Sequence, residues 1–398
     1  MKTLDYATRS IFIDRKNAEA DGYWNFAMDI GYSGVKGMSP NKVYCFPSFA
    51  RVLKGKTLEI GEADPRDILY RDEQGTVWSV GASAQNNLTS RDTNDSTLSL
   101  YGRDRYYQPM FLVIARAGMG IGMIANENGD PNGKTPVLQT GLPPKYLEED
   151  AQYLKEVLSG KHCFDLKIGK NPWQHFDFEL KPENIHITQQ PMGTFLGLAI
   201  DNECKQVPKA KQYFASNVLV MDIGFGTLDF FSIRKRQMDE EGESYDDLGM
   251  KAVLQDLSAE IFKKYHTKIP VHAMQKNLRN GYITVFDRKN MKTQKVEFGD
   301  MLKTSTEKVC NSAIEKMKSL FNNMLDYDYL IVTGGTGAAW IDMIKNHFAG
   351  METLTVIGAN QNDELPYIFA NVRGYYVYLA GALRAKIAKE RRLADNES

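Results

Sequence analysis

The feature that most constrains this chain is a pattern it carries twice. Met28-Asp29-Ile30-Gly31-Tyr32-Ser33-Gly34-Val35-Lys36 is echoed by Met221-Asp222-Ile223-Gly224-Phe225-Gly226-Thr227-Leu228-Asp229. Each copy reads as an apolar strand ending in Asp-Ile-Gly, a short turn and a return strand. The copies lie 193 residues apart, a domain-sized period. Glycine lets a hairpin backbone approach a ligand closely and adopt positive φ. Successive backbone N–H groups at such a tip then suit a phosphate. The aspartate at the strand end would repel that phosphate unless a cation lay between them. Mg²⁺ with retained waters suits one or two carboxylates plus phosphates. A single Asp-x-Gly is a common turn, so the weight rests on its repetition: two facing hairpins would clamp a polyphosphate from both sides.

A third element, Leu330-Ile331-Val332-Thr333-Gly334-Gly335-Thr336-Gly337, puts glycines at the end of a buried strand. The flat backbone they leave is a surface for an adenine or ribose. The P-loop pattern G-x-x-x-x-G-K-[ST] is absent, and Gly118–Gly122 lacks the strand-to-helix setting of a dinucleotide fingerprint.

Between these motifs, strands and helices alternate. Strands are expected at Val43–Phe46, Val77–Val80, Ile185–Thr188, Val218–Met221 and Tyr329–Thr333, and within Pro136–Pro144, where Gly and Pro stop the strand. Helical periodicity covers residues 105–124, 146–158, 250–266 and 302–325, and an amphipathic helix runs from Tyr375 to Arg392. The class is α/β. A length of 398 residues predicts two or three domains. Residues 1–24 read as a partly ordered extension.

Bulk properties exclude several functions. The net charge is −1, from 49 basic and 50 acidic residues, which gives no long-range pull toward nucleic acid or an anionic membrane. The four cysteines are scattered and the histidines show no H-x-x-x-H spacing, so neither a disulfide framework nor a His/Cys metal site is expected. The most apolar stretch, Met110 to Ala125, contains Arg116 and is short of the ~20 residues a spanning helix needs. No signal-peptide core opens the chain, so a cytoplasmic location is expected.

The three motifs, in this order, resemble the actin, DnaK-type chaperone and sugar-kinase superfamily. Asp29 to Lys36 is similar to its first phosphate motif, Asp222 to Asp229 to its second, and Val332 to Gly337 to its adenosine motif. The finer resemblance is to the bacterial ParM-like actins. It rests on Phe46-Pro47-Ser48, Val80-Gly81-x-x-Ala84, Thr140-Gly141-Leu142-Pro143, Gln190-Pro191-x-Gly193 and Ala370-Asn371-Val372-Arg373-Gly374, spread from about residue 25 to 390. Phe225 departs from the small or acidic residue usual in actins, and a 24-residue N-terminal extension is unusual in the family.

The resemblance implies an actin-like ATPase fold. Two lobes, each on a ribonuclease-H-like βββαβα core, flank a nucleotide cleft. Residues 25–215 would form domain I, with a C-terminal helix at 375–398 packing back on it, and residues 216–374 domain II. It implies ATP (or GTP) and Mg²⁺ as cofactors, with Asp29 and Asp222 holding the metal through water. Lys36 would neutralise phosphate charge. The backbone at Gly31, Tyr32, Ser33 and Gly34, and at Gly224, Phe225, Gly226 and Thr227, would bind phosphates. Gln190, or Gln189 beside it, would orient the attacking water, and positioning of this kind supplies most phosphoryl-transfer catalysis. Gly249, Gly334, Gly335 and Thr336 would meet ribose and adenine. Asp229 is expected to support the hairpin, and the basic residues of the tail helix to form a solvated face.

The implied function is a nucleotide-dependent filament, assembled from copies of the chain itself. It would serve plasmid DNA segregation through a DNA-binding adaptor, with no direct contact to DNA or membrane. Two other classes compete. A small-molecule kinase would need an acidic base in the cleft where Gln190 stands. A non-polymerising switch of chaperone type would carry a substrate domain after the ATPase, for which the chain leaves no room. One of membrane-adaptor type would end in a more apolar helix than this tail.

Overall fold

The computed structural model describes residues 3–53, 64–86, 103–235, 237–238, 242–287 and 290–397. Two mixed sheets form the frame, and they repeat one topology. In the first, Lys42–Pro47, Gly34–Ser39 and Tyr23–Ile30 run antiparallel, and Thr135–Leu142 and Ile185–Gln189 continue as parallel strands. In the second, Leu228–Arg234 lies antiparallel to Asn217–Ile223, which continues into parallel Tyr329–Thr333 and Thr355–Gly358. Short strands Gln237–Met238 and Glu243–Tyr245 pair with the outer side of Leu228–Arg234. The sequence repeat is thus a structural duplication, with each Asp-Ile-Gly at the end of a central strand. Those central strands are buried on both faces, which is why they read as continuous apolar runs.

Each sheet has its own core. Met28, Phe26, Phe46, Ile114 and Phe164 lie in the first; Leu219, Met221, Leu254, Leu257 and Trp340 lie in the second. A five-stranded antiparallel sheet flanks the first core, with Gln174–Leu180 and Gly160–Ile168 next to Ile68–Arg71, Val77–Val80 and Ala50–Val52. The hairpin 160–180 does not announce itself as a strand pair, because its outward positions are polar and charged. The same holds for Tyr282–Asp287 with Lys292–Glu297, where nearly every position of the second strand is exposed.

Two helices cross between the sheets. Gln190–Ala199 sends Phe195 and Leu198 toward Val218, Val220 and Ile331 of the second sheet. The tail helix, Ala370–Glu397, packs Val372, Tyr375 and Tyr376 with Ala27, Met38 and Val43 of the first. Its basic residues Arg384, Lys386, Lys389, Arg391 and Arg392 are exposed. The two helices touch backbone to backbone. A Cβ on Gly374 would fall 1.6 Å from the Gly193 carbonyl oxygen, a separation no side chain tolerates.

The N-terminal residues belong to this frame. Ile11–Asp14 adds an edge strand against Lys42–Pro47, with Ile11 opposite Cys45. Before it, Tyr6 is 7% exposed in the core of the second sheet. The four cysteines are free. No helix among the described residues is long and apolar enough to cross a membrane.

The helix crossing generates a stability prediction. Gly374→Ala is expected to cost about 3 kcal/mol or more in urea unfolding, because neither backbone can retreat. Gly350→Ala, at an exposed site with open space around it, is expected to stay within ~0.5 kcal/mol of the parent.

Candidate functional site

The two hairpins face each other across a cavity of about 230 Å³ between the sheets. They are built alike to the level of single bonds. Gly31 N–H donates to the Gly34 carbonyl at 3.1 Å, and Gly224 N–H to the Thr227 carbonyl at 2.9 Å. Strand register then fixes what stands beside each aspartate. Asp29 pairs directly across its hairpin with Lys36, and Asp222 with Asp229. The duplication therefore exchanges a lysine in one copy for a carboxylate in the other.

Asp29 is buried and has both oxygens engaged. Lys36 Nζ lies 3.1 Å from Oδ2, and Gln190 Nε2 donates to Oδ1 at 3.0 Å. Gln190 opens its helix, and its carbonyl accepts from the Tyr375 hydroxyl at 3.2 Å. It is Gln190 that lines the cavity, while Gln189 does not. Asp222 is held from the crossing helices: Asn371 Nδ2 donates to its Oδ2 at 2.6 Å. Asn371 Oδ1 in turn lies 2.7 Å from the Thr194 hydroxyl, itself 2.9 Å from the Thr333 hydroxyl.

Burial pushes the Asp222 carboxyl up to about 6, with the Asn371 bond opposing and the Asp29 charge adding. Asp229 rises to about 7, from burial first and then from the charge of Asp222. Its Oδ2 accepts from the Thr227 hydroxyl at 2.9 Å, while Oδ1 is buried without a partner. Three carboxyls thus converge where, among the described residues, Lys36 is the one cation bonded to any of them. A divalent cation would relieve that arrangement. Among the described residues no three His, Cys, Asp or Glu side chains are grouped to ligate a metal directly. The donor set fits an ion that keeps most of its waters.

The Gly334–Thr336 turn closes on the second hairpin. Gly334 has φ +84°, and a Cβ there would lie 2.3 Å from the Ile223 carbonyl oxygen and 2.6 Å from Asp222 Oδ1. Thr336 Oγ1 donates to the Gly224 carbonyl at 2.9 Å. Tyr32, Ser33, Gly34, Phe225, Gly226, Thr227, Gly334, Gly335 and Thr336 all line the cavity with Asp29, Gly31, Lys36, Gln190, Asp222 and Gly224. Gly249 stands apart from them. It caps the helix Met250–Tyr265, whose first N–H groups bond the Gly224 and Phe225 carbonyls, so it buttresses the loop from behind. Its sequence context carried no sign of this, because the contact is made by backbone.

Three further contributors were not singled out as site residues by the sequence. Asp5 to Arg9 line the cavity. Thr8 bonds Gln85 beside the first core through its hydroxyl, and it bonds Gln275 and Arg279 beside the second through its backbone. The extension therefore crosses the cleft. Arg105 lies under the first hairpin and donates to the Ile30 carbonyl at 2.7 Å. Asn371 belongs to a stretch noted for resemblance alone, yet it positions Asp222.

A duplicated α/β frame with twin hairpins in its cleft defines the actin-like class, and the comparisons agree. Residues 27–193 match the family model of the actin-like proteins' N-terminal domain. The chain superposes on a subunit of a 15-stranded ParM filament from Clostridium botulinum with TM-score 0.66 and 19% identity, covering 89% of this chain and 98% of that one. For actin-like protein Alp7A the values are 0.62 and 16%, over 94% and 99%. For an archaeal actin homolog in complex with ADP they are 0.58 and 17%, over 89% and 98%. No curated protein matches. The chain has the actin-like fold.

The raised carboxyls generate a pH prediction. An unfolded aspartate titrates near ~3.9. Between roughly pH 4 and pH 7 the folded chain therefore holds protons that the unfolded chain has released. Stability of the ligand-free protein falls as pH rises through that window. Asp229→Asn removes the penalty. Urea unfolding is expected to show it more stable than the parent by on the order of 2 kcal/mol at pH 8, with the gain gone near pH 4.

Proposed function

We propose that the cleft binds a magnesium nucleoside triphosphate, hydrolyses it, and thereby controls assembly of the chain into filaments. The observation that carries this reading is that Asp29 and Asp222, from opposite sheets, line one cavity and sense each other's charge. The likeness to a ParM filament subunit and to an actin homolog holding ADP supports it.

In this reading the loops 31–34 and 224–227 bind the phosphates from two sides, and Asp29 and Asp222 hold Mg²⁺ through its waters. When bound, the metal neutralises charge on the phosphate oxygens. Lys36 adds a fixed positive charge beside Asp29. Gln190, tethered to Asp29 and to the tail helix through Tyr375, orients the attacking water. Glutamine is too weak a base to take the proton outright, so its contribution is positional. Gly334, Gly335 and Thr336 supply the surface for ribose and base, whether adenine or guanine. The lobes divide near residue 215, with the tail helix returning to the first. Filaments of this type move plasmid DNA through an adaptor, and the near-zero net charge suits an indirect hold on DNA. The chain acts in the cytoplasm on this view.

Light scattering and pelleting with Mg-ATP, alongside phosphate release, test the reading. The wild type is expected to assemble and turn over. Asp222→Ala is expected to lose at least roughly 100-fold in turnover and to stop assembling in register with nucleotide. Gln190→Ala is expected to keep nucleotide affinity within about threefold while kcat falls ~100-fold. Turnover without assembly would replace the filament reading with a kinase or a non-polymerising switch.

A further inference from the structure

Arg105 carries a positive charge in the cleft that the twin-hairpin arrangement does not use. It is 5% exposed and lines the cavity. Its Nη2 donates to the Ile30 carbonyl at 2.7 Å, one residue before the first loop, and its Nε is buried with no acceptor. It forms no ion pair among the described residues. The carboxylate whose charge acts on it is Asp29, whose two oxygens are already taken by Lys36 and Gln190. Three aromatic rings surround the guanidinium instead, with Tyr32 at 4.5 Å, Tyr106 at 5.2 Å and Phe111 at 5.4 Å from its carbon. Aromatic faces, a hydrogen bond with Tyr106 and one carbonyl compensate only part of the cost of burying a cation with no carboxylate bonded to it.

The position of Tyr32 gives this charge a direction. Its ring leans on the second loop, where a Cβ on Gly226 would fall 2.5 Å from a ring carbon. Arg105, Tyr32 and Gly226 therefore form one stack that joins the two loop tips. An anion entering between the tips has to displace the ring and then meets the guanidinium. A planar guanidinium with an unused N–H edge matches phosphate oxygens better than any other side chain. In the reading proposed above, the phosphates run in between the two loops, and the terminal one is the phosphate that would sit between their tips.

We propose that Arg105 binds the terminal phosphate of a nucleoside triphosphate and so distinguishes it from a diphosphate. This rests on the nucleotide reading of the cleft and adds a residue to it. Arg105 then links the presence of that phosphate to the buried helix Pro109–Gly122 that follows it.

Calorimetric titration of the magnesium complexes of ATPγS and ADP into wild type, Arg105→Met and Arg105→Lys tests the proposal. Arg105→Met is expected to weaken ATPγS roughly 100-fold, about 2.7 kcal/mol, and ADP less than about threefold, with Arg105→Lys between. An equal loss for both nucleotides, or no loss for either, would leave Arg105 only the task of holding Ile30 and Tyr32 and would overturn the proposal. Wild-type protein that binds neither nucleotide would remove the nucleotide reading, and this inference with it. Should Arg105→Met fail to melt cooperatively, NMR of the arginine Nε–H groups in the wild type decides. The resonance missing from Arg105→Lys is expected to shift with ATPγS and not with ADP, and a resonance indifferent to both contradicts the assignment.

Discussion

Like charges brought together across two lobes set the terms for the rest of this molecule. Asp29 ends the central strand of one sheet and Asp222 that of the other, and Asp229 stands across the hairpin from Asp222. Burial makes the charges of Asp222 and Asp229 harder to hold, and both retain protons to higher pH. A fold has no structural reason to assemble such a cluster, since apolar side chains of similar size would cost less. In the reading proposed above, the cluster is where a cation, and the anion it brings, would sit. The exchange of Lys36 for Asp229 between the copies adds to it, because only one hairpin supplies its own counter-charge.

The cluster is wired to the two helices that cross between the sheets. Asn371 holds Asp222 from the tail helix, Thr194 joins Asn371 to the other crossing helix, and Tyr375 anchors the Gln190 carbonyl. These two helices pass between the sheets and meet at Gly193 and Gly374 with no side chain between them. A change in the angle of one lobe against the other is therefore felt at Asp222 and Gln190 together. On the far side, Asp5 to Arg9 span the cleft with bonds to both lobes. The two sheets are thus joined both by the crossing helices and by the N-terminal segment.

What the sequence reveals depends on whether a feature is local. The hairpins were legible because glycine spacing and an apolar run before Asp are local consequences of a backbone turn at a strand end. Val77–Val80 and Tyr329–Thr333 form with the bounds their patterns predict. Gln190 carries the reading of its motif into the cavity, and Gln189 next to it does not. Features set by tertiary contact left no trace. The role of Gly249 is a backbone-to-backbone contact, and Arg105 precedes a helix in a segment with no motif. The N-terminal residues read as an appendage because their strand is short and the residues it pairs with lie some 30 positions away. The strands of 160–180 and 282–297 were hidden by polar outward faces.

The most direct measurement is a high-resolution map of the protein with Mg²⁺ and a non-hydrolysable ATP analogue. The account predicts one nucleotide in the interlobe cavity, its phosphates between residues 31–34 and 224–227. The ion should be joined through waters to both Asp29 and Asp222. A nucleotide seated elsewhere, or an ion that reaches neither aspartate, would contradict it.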